Sequence, residues 1–208
     1  VWLLVALGKK VDRYHLPSTK KSGSIEVGGD GVNAIAVSSM ADRLACGCEN
    51  GDVNVYEISD KLFDTGALLY TCKGHTKTVC SLDFARRDIG RIVSSAKDGT
   101  ARVWQDEECV AELTCSVDGG SQSAKSKIAP KRPVQVLVRG CAFQDLDGHE
   151  VLTVASARKG SAFLSRWYEQ EAGKFECERT EVSPVPISAM SLSEEGPFIA
   201  LGAVDGTI

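Results

Sequence analysis

An all-β fold is predicted by three features of this sequence. Apolar and polar residues alternate over short segments, which is the period of a strand with one buried face. These segments recur along the chain as a repeating unit, and each unit contains a tight turn with glycine. The sequence has no long amphipathic segment of helical period. Four short antiparallel strands repeated in this way are typical of the blades of a β-propeller.

Each of four units starts with an alternating strand and continues with a second apolar strand. The first strands are predicted at residues 32–37, 79–84, 138–143 and 187–192. The second strands are predicted at residues 43–47, 91–95, 151–155 and 198–202. In the first three units, third strands are predicted at 53–58, 101–105 and 162–167, and fourth strands at 67–72, 109–115 and 174–180.

A turn containing glycine separates the second strand of every unit from the residues that follow. Asn-Gly and Asp-Gly pairs favour tight hairpins, because both turn residues must adopt positive φ. The turns are Asn50-Gly51, Asp98-Gly99, Lys159-Gly160 and Asp205-Gly206. They predict antiparallel pairing of neighbouring strands within each unit.

The repeats define the expected domain organisation. At roughly 45 residues per blade, 208 residues correspond to about four and a half blades of a ring in which we expect seven. We therefore predict one partial propeller, in which segments 3–7 and 11–16 are the last two strands of an earlier blade. The divisions are 1–31 for that blade and a connector, 32–73 for unit one, 74–116 for unit two, 117–133 for an inserted loop, 134–182 for unit three and 183–208 for a truncated unit four.

Composition and charge narrow the classes of function. The formal net charge of −4 disfavours a nucleic acid partner, and with it a DNA-binding function. The eight cysteines form no Cys-x-x-Cys pair, so a zinc ribbon is not expected, and Cys46 and Cys48, two apart in an apolar run, are interpreted as small buried residues. The acidic segment 145–150 lacks the further ligands of a calcium loop and is interpreted as a turn. We predict no metal, no cofactor and no active-site chemistry.

The second unit contains four polar or aromatic residues in a recognisable order. Gly74-His75 precedes its first strand, Ser94 lies on the second strand, Asp98 in the hairpin turn and Trp104 on the third strand. This order resembles the WD-repeat family. The resemblance implies a hydrogen-bonded chain that runs from the Trp104 indole to Ser94, then to His75 and then to Asp98. In the first unit, Cys46 and Tyr56 occupy the serine and tryptophan positions, and in the last unit Leu201 occupies the serine position.

A serine, a histidine and an aspartate in contact also suggest a hydrolase triad. The family pattern uses the Ser94 hydroxyl as the acceptor for Trp104, and no Gly-x-Ser-x-Gly turn surrounds Ser94. We therefore interpret the set as a structural tetrad.

The stretch from residue 92 to residue 208 is similar to a narrower family. Its members are membrane-anchored guanine-nucleotide exchange factors of the endoplasmic reticulum, which activate the Sar-type GTPase and start COPII coat assembly. The resembling segments are 101–105, 139–143, 151–154, 165–167, 187–196 and 198–202. The resemblance implies that the partner is a small GTPase of the Sar type and that the location is the cytosolic face of the endoplasmic reticulum membrane. It also implies a transmembrane helix beyond Ile208. The alternative function is a general WD-repeat scaffold without exchange activity.

Exchange in that family depends on a glycine-rich loop with a lysine and an asparagine, which a potassium ion stabilises in some members. The nearest string here consists of Gly28, Gly29, Asp30, Gly31, Val32 and Asn33. It lacks the lysine and leads directly into a strand, so we interpret it as a connector, with a partner-binding loop as the alternative. No Walker A motif is present, so direct GTP binding is not expected. The segment 116–133, with Lys125, Lys127, Lys131 and Arg132, is predicted to be a solvated loop, with contact to anionic lipid as the alternative.

Overall fold

A computed structural model describes residues 1–59, 63, 66–88, 90–114, 137–146, 149–158, 161–192 and 198–208. In these residues seventeen strands form five antiparallel sheets. The predicted all-β fold is therefore confirmed. Three of the sheets contain four strands in sequence order, as the blades of a propeller do.

The strands fall into a leading sheet, three full blades and a trailing sheet. The leading sheet contains β1 (Trp2–Leu7), β2 (Lys10–His15) and β3 (Lys20–Glu26). Blade one contains β4 (Val32–Val37), β5 (Arg43–Cys48), β6 (Val53–Glu57) and β7 (Leu68–Cys72). Blade two contains β8 (Val79–Phe84), β9 (Arg91–Ala96), β10 (Thr100–Gln105) and β11 (Glu108–Thr114). Blade three contains β12 (Leu137–Leu146), β13 (His149–Arg158), β14 (Ser161–Glu171) and β15 (Lys174–Ser183), and the trailing sheet contains β16 (Ile187–Leu192) and β17 (Ile199–Ala203).

The leading sheet differs from the prediction, because it has three strands where two were expected. The additional strand, β3, pairs with β2 and places only Ile25 in the core. Its remaining residues are exposed or half-buried, so its sequence shows little of the alternation that marks the other strands. An outer strand that is paired along one edge needs few apolar residues, and this is why the sequence pattern missed it.

The first strand of each blade, from β4 to β16, contains the same irregularity. The pairing with the second strand shifts register near the start of the strand, between Val32 and Ala34 in blade one and between Val79 and Ser81 in blade two. The same shift occurs between Val138 and Gly140 in blade three and between Ile187 and Ala189 in the trailing sheet. A β-bulge bends and twists a strand locally, so the blades repeat in backbone geometry as well as in sequence.

The blades pack side by side, and the hydrophobic core lies between them. The first strands of successive blades are in contact, from β4 to β8, from β8 to β12 and from β12 to β16. Trp104 of blade two lies in one hydrophobic cluster with Val53, Val55 and Cys72 of blade one. In the same way, Trp167 of blade three lies in one cluster with residues of blade two.

Cys46 and Cys48 are both fully buried, as expected from their position in an apolar run. Cys46, Cys48, Cys72 and Cys141 are buried, whereas Cys109 and Cys177 are exposed. Burial raises the pKa of Cys48 to about 11 and of Cys72 and Cys141 to about 12. A thiol with such a pKa stays protonated at neutral pH, so these three are poor nucleophiles and metal ligands.

Two alternatives from the sequence, a calcium site and a contact with anionic lipid, concern segments that the structure describes in part or not at all. The residues that could test the calcium alternative include Asp147 and Gly148, and the lipid alternative concerns 116–133; both lie outside the described residues. Within the described ranges, His, Cys, Asp and Glu side chains form no group of three or more that could hold a metal ion. The same ranges contain no helix long and apolar enough to span a bilayer.

Candidate functional site

The four residues of the predicted tetrad lie together in blade two. His75 precedes β8, Ser94 lies on β9, Asp98 occupies the turn after β9, and Trp104 lies on β10. Antiparallel pairing places Arg102 opposite Ser94 and Trp104 opposite Ile92, so the indole and the hydroxyl project from neighbouring strands. The side chains of Ser94 and Trp104 are fully buried.

Hydrogen bonds connect these side chains in a single chain. Trp104 Nε1 donates to Ser94 Oγ at 2.7 Å, and Ser94 Oγ lies 2.8 Å from His75 Nε2. His75 Nδ1 lies 2.9 Å from Asp98 Oδ2. Because an indole can only donate, the serine hydroxyl is left to donate to Nε2, and Nδ1–H of a neutral histidine then donates to the carboxylate. Every polar side-chain atom of these four residues is used in this arrangement, which rigidifies the blade.

Asp98 is the residue at which the most hydrogen bonds converge. Its Oδ2 also accepts from the Thr76 backbone N–H at 3.0 Å, and its Oδ1 accepts from the N–H of Thr100 at 3.0 Å and from Thr100 Oγ1 at 2.8 Å. Burial alone would raise the pKa of Asp98, but the hydrogen bonds from His75, Thr76 and Thr100 lower it well below its ordinary value. Thr76 and Thr100 were not singled out from the sequence, although an aspartate in a turn commonly accepts the backbone N–H two residues on, as Asp98 does from Thr100.

The buried position of Ser94 decides against the hydrolase alternative. A nucleophilic serine must be reached by a substrate, whereas the Ser94 side chain is fully buried and its oxygen accepts the hydrogen bond from Trp104. The tetrad therefore has the geometry of a structural network.

Blades one and three place other residues at the tetrad positions. In blade one, Cys46 and Tyr56 are the counterparts of Ser94 and Trp104, and the Tyr56 hydroxyl accepts the backbone N–H of Gly28 at 3.1 Å. In blade three, Val154 and Trp167 are the counterparts. The buried Nε1 of Trp167 finds no hydrogen-bond partner among the described residues.

The candidate partner loop, Gly28, Gly29, Gly31 and Asn33, is held against blade one and blade two. Besides the bond to Tyr56, the Gly28 carbonyl accepts from Asn54 Nδ2 at 3.0 Å, and the Gly31 carbonyl accepts from the Glu49 N–H at 2.8 Å. Gly29 adopts a φ of 93°, which glycine tolerates. Asn33 is the bulge residue of β4, and its Nδ2 donates to the Val79 carbonyl of blade two at 2.9 Å. Gly28, Gly29 and Asn33 remain exposed, so the segment is both a bonded connector and part of the surface. The role of Asn54 and Tyr56 as its clamp was not anticipated from the sequence.

Comparison with protein families identifies one repeat in this chain. The model of the WD domain, G-beta repeat, family matches residues 66–105, which extend from the outer strand of blade one through β10. This range includes all four tetrad residues.

Two curated relatives cover much of the chain. Pre-mRNA-processing factor 19 of Oryza sativa subsp. japonica is 30% identical over 171 residues, which are 70% of this chain and 32% of the relative. Protein transport protein SEC31 of Eremothecium gossypii is 28% identical over 137 residues, which are 64% of this chain and 10% of the relative. The chain thus spans about a third of one relative and a tenth of the other. Neither relative is described as an exchange factor.

A solved structure supports the same architecture. The WD40 repeats of RRP9 superpose with a TM-score of 0.61 and 18% sequence identity, covering 88% of this chain and 47% of that one. At this identity the similarity concerns the fold alone. Together with the matched repeat and the antiparallel four-stranded blades, it makes this chain part of a WD40-repeat β-propeller.

Proposed function

We propose that this propeller is a protein-interaction scaffold. The proposal rests on one observation. His75, Ser94 and Asp98 are residue types that can catalyse reactions, but here they are hydrogen-bonded to one another and to Trp104 inside blade two. A blade stiffened in this way presents its turns in fixed positions, which suits binding of partner proteins. The names of the two curated relatives refer to different processes, pre-mRNA processing and protein transport, and this also favours a general binding function.

The partner we favour is a small GTPase of the Sar type on the cytosolic face of the endoplasmic reticulum membrane. Two sequence similarities support this choice. Residues 92–208 resemble exchange factors of that membrane, and one relative is a protein transport protein.

Guanine-nucleotide exchange is the second candidate function. An exchange factor binds the nucleotide-free GTPase more tightly than the loaded form, and this differential binding accelerates release. We assign that role to the glycine-rich segment of Gly28, Gly29, Gly31 and Asn33, in which Gly28, Gly29 and Asn33 are exposed. It lacks the lysine of the exchange-factor loop, and Tyr56 and Asn54 tie it to blade one. These features favour a scaffold over an exchange factor.

One pair of measurements separates the two functions. Binding of a purified Sar-type GTPase to the chain is measured by biolayer interferometry, and release of labelled GDP is measured with and without the chain. Binding without faster release supports the scaffold. Faster release that is abolished when Gly28 to Asn33 are replaced by a Gly-Ser linker supports exchange. If neither binding nor faster release is found, the GTPase is not the partner.

A further inference from the structure

A groove of about 750 Å³ lies between blades two and three, and it has no part in the tetrad. We call it the interblade groove. Its walls include Arg87, Asp88 and Arg91 of blade two and Glu150, Tyr168 and Phe175 of blade three. These residues belong to the β8–β9, β12–β13 and β14–β15 ends of the blades. In an antiparallel blade those ends lie opposite the Asp98-Gly99 turn, so the groove opens on the other face of the propeller.

The floor and one wall of the groove are apolar. Phe143 and Leu152 are buried beneath it, and Tyr168 and Phe175 are half-buried beside it. The guanidinium of Arg91 lies 5.8 Å from the centre of the Phe175 ring and helps to fix that ring. A groove of this volume with an aromatic wall can accommodate one or two large side chains of a partner.

The two arginines that line the groove already have carboxylate partners. Arg91 Nη1 lies 2.7 Å from Glu169 Oε2, and Glu169 Oε1 accepts the Gly173 N–H at 2.7 Å. Arg87 forms an ion pair with Asp145. The lining of the groove holds two guanidinium groups, Arg87 and Arg91, and three carboxylates, Asp88, Glu150 and Glu169, so carboxylates are in excess.

Asp88 and Glu150 are the two carboxylates of the lining that are not the nearest partner of an arginine. Asp88 lies 3.9 Å from the Arg91 guanidinium, which Glu169 holds more closely. Glu150 accepts the backbone N–H of Arg86 at 2.8 Å through Oε1. The groove therefore combines an excess of negative charge with an apolar floor, and the complementary ligand is a cation attached to an apolar stem or neighbour.

We propose that the interblade groove binds an extended segment of a partner protein in which a lysine or arginine adjoins a large apolar residue. The cationic group pairs with Asp88 and Glu150, and the apolar side chain packs on Phe175 and Tyr168. This inference rests on the scaffold function proposed above, because it assigns that function a surface. The surface is on the face opposite the Gly28 to Asn33 segment.

The test measures fluorescence anisotropy of labelled peptides with the whole chain. One short peptide carries Leu-Lys-Leu within a Gly-Ser sequence, and the matched peptide carries Leu-Glu-Leu. We expect binding of the lysine peptide that weakens with added salt, and none of the glutamate peptide. Replacing both carboxylates, Asp88→Asn with Glu150→Gln, should weaken binding of the lysine peptide roughly tenfold, the size of effect typical of a close ion pair at an interface.

Matched controls keep the result interpretable. Glu57→Gln removes an exposed carboxylate of blade one and should leave peptide affinity unchanged. Glu150→Gln retains the oxygen that accepts the Arg86 N–H, and thermal unfolding checks that each variant is folded. Equal affinity of the double variant, equal binding of both peptides, or no binding of the lysine peptide would overturn the groove assignment. Binding of the purified Sar-type GTPase is measured in parallel, so failure of the groove is distinguished from failure of the scaffold function.

Discussion

The indole nitrogen of Trp104 lies 2.7 Å from the hydroxyl oxygen of Ser94, and both side chains are fully buried. This bond joins β9 to β10 in the core between blades one and two. Blade three has Trp167 and Val154 at the same two positions, and there the buried indole nitrogen has no partner among the described residues. Blade two is thus the blade whose polar network is complete, and the predictions below start from it.

The first prediction concerns the serine of that network. Ser94→Ala should destabilise the chain by about 1–3 kcal/mol, because it leaves Trp104 Nε1 and His75 Nε2 without a partner in a buried site. Thermal unfolding followed by tryptophan fluorescence measures the loss. Ser95→Ala is the matched control, since Ser95 is equally buried but takes no part in the hydrogen bonds that link Trp104 to Asp98. Equal effects of the two substitutions would contradict the structural role of the tetrad.

The second prediction is the pH dependence that follows from Asp98. Its pKa in the folded chain is lowered by hydrogen bonds, below the unfolded value of about 3.9. The stability that it contributes is therefore present above about pH 4 and is lost as the pH falls below that value. Asp98→Asn should lower the melting temperature at neutral pH, and the difference from the parent chain should shrink in acid. A difference that stays constant from neutral to acid pH would show that the ionised carboxylate is not the stabilising form.

The third prediction concerns Asp83, whose pKa is shifted upward, whereas that of Asp98 is shifted downward. Burial raises the pKa of Asp83 to about 6, although backbone N–H groups of Phe143 and Phe84 and the nearby Arg86 lower it in part. The protonated form is favoured in the fold, so its contribution is present below about pH 4 and is lost as the pH rises through about 6.

Asp83→Asn keeps an oxygen that can accept the Phe143 N–H, now 2.9 Å from the carboxylate, and removes the buried charge. We expect this variant to be more stable than the parent chain above about pH 6, by about 3 kcal/mol, and to lose that advantage below about pH 4. Melting temperatures across this pH range provide the measurement. A variant that is less stable than the parent at neutral pH would mean that the charge is compensated in the fold.

The fourth prediction compares two glycines with similar backbone conformation. Gly51 and Gly206 have φ of 96° and 90°, so alanine is strained at both. At Gly51 a Cβ would lie 2.4 Å from the His75 carbonyl oxygen, whereas nothing lies within 4 Å at Gly206. Gly206→Ala should cost about 1 kcal/mol and Gly51→Ala clearly more, measured by chemical unfolding. Similar costs would show that the turn of blade one does not pack tightly against the His75 segment.

Much of the fold follows from local pattern. The alternation in 32–37 and 79–84 predicted strands close to β4 and β8, because burial of one strand face imposes a period of two residues. The apolar alternation predicted least well the outer strand of the leading sheet and the ends of strands. β3 was missed because its one core residue, Ile25, leaves no alternation to detect, and β14 extends to Glu171, beyond the predicted end at residue 167.

By itself, the sequence determined the repeating unit, the glycine turns and the order of His75, Ser94, Asp98 and Trp104, since each is a matter of residue type and spacing. Tertiary structure alone decided which side chains meet across blades. The clamp of Tyr56 on Gly28 joins residues that are 28 positions apart, and the Arg91–Glu169 pair joins blade two to blade three. Such contacts depend on how neighbouring sheets stack, and stacking leaves no periodic mark in either strand. The interblade groove was likewise decided by the tertiary structure. Its lining residues and the ion pairs among them come together only when blades two and three pack against each other.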